Sequence, residues 1–267
     1  MRRLLPVGWA AVIVASSVVL AATAAWMSAA SKYEPAPILP DGVREPVLAL
    51  ELARSPREVA EILRVPESQG NRTVLRGQIG KDWIFIVAYA SFFAALAASQ
   101  RRNFDPVRRG LGWGIALGIL VTATLDVLEN RGMLGILDAK WLDVGAERVA
   151  EVRIWSLGKW LALFATCLLA GLLLLDWRRR PGAPARLVGT IAKVAGALFL
   201  ASGLIGLRGL ASPGFITTAM LVLSAAILLT ASLAASVFVP WRGHQLREQV
   251  LIGLASPASS RAASGRR

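Results

Sequence analysis

Ionisable and polar side chains in two stretches of the chain have the spacing of a single helical face. Asp82 and Tyr89 are seven residues apart, which corresponds to two helical turns. Asp126, Glu129 and Asn130 are separated by three and four residues, so they also share a face. Carboxylates in this pattern can hold Mg²⁺, Ca²⁺ or a cationic ligand, and a carboxylate beside a tyrosine can transfer protons. The spacing therefore predicts either ligand binding or acid–base chemistry.

A lysine is expected to join these residues. The predicted polar cluster consists of Asp82, Tyr89, Asp126, Glu129, Asn130 and Lys159. Acids near the C-terminal end of a helix oppose its dipole, so Lys159, Arg131 or a bound cation should compensate their charge. A purely structural network of ion pairs and hydrogen bonds between helices remains the alternative to a ligand site. The sequence assigns no catalytic residue, metal or cofactor.

The elements that must position this cluster are predicted to be membrane-spanning helices. Of the 267 residues, 55% are hydrophobic and only 18% are charged. The apolar residues form six long runs: Val7–Ala30, Trp83–Ser99, Leu111–Leu128, Ile154–Leu175, Leu187–Leu207 and Gly214–Val239. Barrel strands would be about half this length and would alternate apolar with polar residues. The runs predict an all-α polytopic bundle, with helix 1 (residues 1–30, a signal anchor) and five further helices within 83–242.

Arginine placement predicts the orientation of the bundle. Arginines precede the first run and follow the second, fourth and sixth runs, whereas the other connections carry balanced charges. Because arginine-rich loops stay in the cytoplasm, both termini are predicted to be cytoplasmic in a bacterial inner membrane. A cleaved signal peptide ending near Ser28–Ala30 is the alternative for the first run.

The connections are expected to contain short helices. Residues 31–82 are predicted to form an external loop with a helix near 56–65, where Ser55 is a suitable N-cap and Pro56 suits the first helical position. An amphipathic, interfacial piece is expected within Asn130–Arg153. The tail, residues 243–267, is predicted to be cytoplasmic and largely disordered.

Several function classes are excluded by sequence. The net charge of +13 comes from basic residues at the ends of apolar runs, with no DNA-binding motif, so nucleic acid is not an expected partner. Cys167 is the single cysteine, which excludes an intrachain disulfide and a multi-cysteine metal site. No nucleophile elbow, zinc-ligand spacing or glycine-rich phosphate loop is present.

The order of several short motifs resembles that of a group of uncharacterised bacterial multi-pass membrane proteins. These motifs are Leu50-Glu51-Leu52-Ala53, Ser55-Pro56, Asp82-x-x-Phe85-Ile86-x-x-x-Tyr89, Asp126-x-x-Glu129-Asn130 and Lys159. The resemblance covers roughly residues 48–163. It implies no activity, and it implies only that the external helix and the polar cluster form one unit.

Three functions are compatible with these patterns. The first is a binder or transporter of a small polar or cationic ligand at an acidic pocket near the outer leaflet, and it is preferred because carboxylates predominate in the cluster. The second is a membrane enzyme acting on a lipid or another amphiphile. The third is a scaffold or assembly protein that binds a protein partner through the external loop. All three place the chain in the lipid bilayer.

Overall fold

The computed structural model describes residues 7–29, 43, 45–64, 69–100, 105–139, 143–176 and 185–255. Within these ranges the chain forms helices and no strands. The helices are α1 (Val7–Ala29), α2 (Pro46–Glu51), α3 (Pro56–Leu63), α4 (Gln69–Ala98), α5 (Pro106–Asp138), α6 (Ala146–Leu175), α7 (Ala185–Gly209) and α8 (Gly214–Ala255). The predicted all-α class is confirmed.

Six of the described helices are long and apolar enough to cross a membrane. The candidate spans are Gly8–Met27, Gly70–Ala98, Pro106–Asp138, Ala146–Leu175, Val188–Gly209 and Gly214–Ser236. Each exceeds about 18 residues, and their outward faces carry large apolar side chains, such as Leu117 and Leu221. The chain is therefore a multi-pass helical protein suited to a lipid environment.

The six long helices form a closed ring. Contacts link α1 to α4, α4 to α5, α5 to α6, α6 to α7, α7 to α8, and α8 back to α1. Aromatic rings fill part of the interior: Phe199 of α7 packs at 6.4 Å and 5.9 Å (centroid to centroid) from Phe92 and Phe93 of α4. All three side chains are fully buried. At the level of these three residues, packed aromatic side chains therefore fill the interior of the ring.

The short helices α2 and α3 cover the other end of the ring. Helix α3 matches the helix expected near 56–65, and Ser55 Oγ accepts a hydrogen bond from the Glu58 backbone N–H at 3.2 Å as its N-cap. Helix α2 was not expected. Its residues Leu48–Glu51 are buried, and it contacts α4, α5 and α6. The segment between α1 and α4 thus inserts into the bundle instead of lying only on its surface.

Helices α4 and α5 are longer than predicted. Helix α4 starts at Gln69 within the predicted external loop 31–82, because Leu75 and Ile79 form a buried face one turn apart. Helix α5 runs unbroken to Asp138, so Asn130 is not a helix end. Asn130 and Gly132 resemble a helix stop signal, but a Cβ at Gly132 would lie 2.5 Å from a side-chain carbon of Val152, so the glycine serves close packing against α6.

Two other expectations differ from the structure. The amphipathic piece expected within Asn130–Arg153 is largely the last turns of α5 and the first turns of α6. Residues 243–255 continue α8, where a largely disordered tail was expected. Parts of the predicted external loop (30–42, 44 and 65–68), of the interfacial piece (140–142) and of the tail (256–267) lie outside the described residues.

Candidate functional site

The ammonium group of Lys159 is the centre of the polar cluster. Its Nζ lies 2.9 Å from Oε1 and 2.7 Å from Oε2 of Glu129, and 3.3 Å from Oδ1 of Asp126. The lysine is 5% exposed, and Glu129 is fully buried. Lys159 is thus the compensating cation that the sequence required, whereas the Arg131 side chain is exposed. The ion pairs join α5 to α6 in the ring interior.

Tyr89 and Asn130 connect α4 to the same cluster. The Tyr89 hydroxyl donates a hydrogen bond to Asp126 Oδ2 at 2.7 Å, so each oxygen of Asp126 has a partner. Asn130 Nδ2 donates to Asp82 Oδ2 at 2.7 Å. The structure therefore brings together all six side chains of the predicted cluster, with Asp82 attached through Asn130.

One acid of the cluster was missed by the sequence reasoning. Glu51, at the end of α2, lies 3.3 Å from Lys159 Nζ through its Oε2 and is 6% exposed. The same oxygen accepts hydrogen bonds from Trp160 Nε1 at 3.1 Å and Ser156 Oγ at 3.3 Å. A signal for it existed, because Glu51 is the lone charge in the apolar run 46–53. From here on the polar cluster includes Glu51.

The polar cluster has more acids than bases. Glu51, Asp126 and Glu129 contact the one ammonium group, and Asp82 joins the cluster through Asn130, so full ionisation of the four acids would leave three negative charges uncompensated. Uncompensated charge in a buried, membrane-level site is costly, and either protons or a bound cation must reduce it. No group of three or more His, Cys, Asp and Glu side chains in the described part of the chain has an arrangement that could hold a metal ion. Lys159 occupies the point where the carboxylates converge.

Several buried oxygens of this region accept no hydrogen bond from the described residues. They are Asn130 Oδ1, Glu129 Oε2 and Gln78 Oε1. Glu129 Oε2 is nevertheless in ionic contact with Lys159, whereas the two carboxamide oxygens have no such contact. A buried acceptor without a donor is destabilising, so each of these oxygens is a candidate contact for a bound water, ion or ligand.

The polar cluster lies deep within the helices. The apolar runs predict that these residues lie at outer helix ends, but Asp82 is about 20 Å from the start of α4 and Lys159 about 20 Å from the start of α6. The difference arises because polar stretches that look like loops continue as buried helix beyond the apolar runs. Lys81, next to Asp82, stacks on Trp26 at 4.6 Å, an arrangement typical of the membrane interface.

An aromatic layer separates the polar cluster from the opposite end of the bundle. Trp160, bound to Glu51, stacks on Phe164 with ring centroids 5.7 Å apart. Phe164 is fully buried, as are the Phe residues of α4 and α7 that lie further along. The cluster is therefore closed on this side by rings and covered on the other by α2.

The geometry is that of an enclosed acidic site with a central lysine. It suits the binding of positive charge, since three carboxyl groups converge on Lys159 and a fourth, that of Asp82, joins them through Asn130. Comparison with protein-family models, with curated proteins and with solved structures finds no match to this chain.

Proposed function

We propose that this chain is an integral inner-membrane protein that binds a small cationic ligand at the polar cluster, as a binder or transporter. The observation that carries the proposal is the convergence of three carboxyl groups on the single ammonium group of Lys159, with a fourth, Asp82, joined through Asn130. A ligand that brings positive charge, a proton included, relieves the excess negative charge and gains affinity from the low dielectric of the site.

The proposed orientation places the polar cluster in the outer half of the membrane. Arg108 and Asp176 form an ion pair at the other end of α5 and α6, on the arginine-rich side of the ring. Arginine-rich ends are cytoplasmic in inner-membrane proteins. In this orientation α2 and α3 face the periplasm, and a ligand reaches the cluster from that side.

The proposal is tested by thermal unfolding of the purified protein against a panel of cations. The panel comprises protons (a pH series), alkali-metal ions, Mg²⁺, Ca²⁺ and small organic amines. At least one member is expected to raise Tm, because a ligand that binds only the folded state stabilises it. Asp126→Asn should abolish that rise, since it removes a carboxylate in contact with Lys159.

Asp138→Asn is the matched control on the same helix. Asp138 is an exposed acid paired with Arg76 at the end of α5, well away from Lys159. This variant should respond to the ligand as the wild type does. A panel in which nothing raises Tm, or an Asp126→Asn protein that keeps the full response, would refute the proposed function.

A further inference from the structure

Gln78, Asp82 and Asn130 form an oxygen-rich group on the covered side of the polar cluster. Gln78 is 9% exposed and Asn130 is 1% exposed, yet the carboxamide oxygen of each accepts no hydrogen bond from the described residues. Asn130 contacts the carboxylate of Asp82, and Gln78 precedes Asp82 by four residues on α4. Two buried acceptors without donors, next to an acid, are the residues that a cation would satisfy.

Helix register places these three side chains together. Gln78 and Asp82 are four residues apart on α4, so they are neighbours on one face. Asn130 reaches Asp82 from α5 through the 2.7 Å contact between Nδ2 and Oδ2. Rotation of the Asn130 carboxamide by half a turn would bring Oδ1 to the position that Nδ2 holds beside Asp82. The group would then present one carboxylate and two neutral oxygens.

The donor set selects the class of ion. Carboxylate and carboxamide oxygens are hard ligands, which bind alkali and alkaline-earth cations in preference to soft metals. The group carries a single formal negative charge, that of Asp82. A fixed positive charge nearby is the ammonium of Lys159, which is paired with Asp126. Asp126 also accepts a hydrogen bond from Tyr89, which lies on the same helix as Asp82. One negative charge near a fixed positive charge matches a monovalent cation better than a divalent one.

We infer that Gln78, Asp82 and Asn130 form a binding site for a monovalent alkali cation, Na⁺ being the probe. The site lies between α4 and α5, beside the polar cluster. The inference rests on the proposed function, because it names the ligand class and the subsite through which positive charge meets the polar cluster.

Binding of ²²Na⁺ to the detergent-purified full chain tests the site. Ionic strength is held constant with N-methyl-D-glucamine chloride, whose cation is too large for the same donors. Wild type should bind Na⁺ saturably, and Gln78→Leu should weaken the apparent affinity at least about tenfold through loss of one oxygen ligand. Gln100→Leu, the same change in the turn that follows α4, should bind as wild type does.

Gln78→Glu separates a ligand role from a structural one. This variant keeps a side-chain oxygen and adds a negative charge, so it should bind Na⁺ at least as tightly as wild type. Weaker binding by Gln78→Glu, undiminished binding by Gln78→Leu, or no saturable binding by wild type would each overturn the site. If Na⁺ fails while another cation still gives the Asp126-dependent rise in Tm, the proposed function stands and only this inference falls.

Discussion

Lys159 carries the electrostatic balance of the polar cluster. It is the only cation in contact with Glu51, Asp126 and Glu129 among the described residues. Removing one partner from a buried ionic network costs far more than the network contributes as a whole, because the remaining charges stay desolvated and unpaired. The lysine is therefore expected to stabilise the fold, and it is also a candidate regulator of ligand affinity.

Replacement of Lys159 by methionine should reduce the free energy of unfolding by about 3–5 kcal/mol, the usual cost of leaving buried charge without its partner. Lys193→Met is the comparison, since Lys193 is exposed on α7 and should change stability by less than about 0.5 kcal/mol. Both are measured by reversible SDS or urea unfolding in micelles. Equal effects of the two substitutions would show that the ion pairs of Lys159 contribute nothing measurable.

The composition of the polar cluster was largely predictable from sequence, but its depth was not. Ionisable residues within or next to apolar runs are rare, so each one can be recognised as a candidate site residue without further evidence. Asp82, Asp126 and Lys159 were identified in this way. Glu51 was missed because its helix has six residues, too few to show a periodic pattern. The depth was missed because Asn130 has the residue type of a helix stop, while its burial depends on contacts with another helix.

Glycines set the spacing between α6 and α7. A Cβ added at Gly196 would lie 2.9 Å from the Gly171 carbonyl oxygen and 3.0 Å from the Leu175 nitrogen, so neither neighbour could yield easily. A Cβ at Gly203 would lie 2.9 Å from the Phe164 carbonyl oxygen. Such close backbone approach is a common means of helix association in lipid, where apolar burial drives little association. Which of the many glycines take this role depends on the ring order of the helices, which the sequence pattern does not contain.

Gly196→Ala should destabilise the protein by about 1–3 kcal/mol, because the added methyl group meets backbone atoms of α6. Gly189→Ala on the same helix meets nothing within 4 Å and should be neutral or stabilising by up to about 1 kcal/mol through helix propensity. Thermal unfolding monitored by tryptophan fluorescence compares the two. If Gly196→Ala were as stable as Gly189→Ala, the close contact between α6 and α7 would be wrong.

At the scale of the whole molecule, charge and hydropathy determine the architecture. Six apolar spans require helices, and the alternation of arginine-rich and balanced connections indicates which ends are cytoplasmic. The six spans were predicted from composition and are confirmed, whereas the orientation stays a prediction. The closure of the helices into a ring and the insertion of α2 follow from side-chain packing between distant segments, so they could be found only in three dimensions.

Membrane orientation is tested by labelling introduced cysteines in intact cells. Cys167 is fully buried and should not react, so it serves as the background. Ser212→Cys, in the exposed turn between α7 and α8, should react with a membrane-impermeant maleimide from outside, whereas Arg109→Cys should react only after permeabilisation. Labelling of Arg109→Cys in intact cells would invert the proposed topology.

The packed rings of Phe92, Phe93 and Phe199 fill the interior of the bundle on the side of the polar cluster away from α2. In this conformation the packed rings block an ion that enters from the periplasmic side, so the ion must leave on that same side. Vesicles containing the protein should accordingly hold a sodium gradient as well as empty ones do. Net transport would require a second conformation in which these three phenyl rings separate. Larger side chains at these positions, or a cross-link between them, would then stop Na⁺ flux without changing Na⁺ binding at the site.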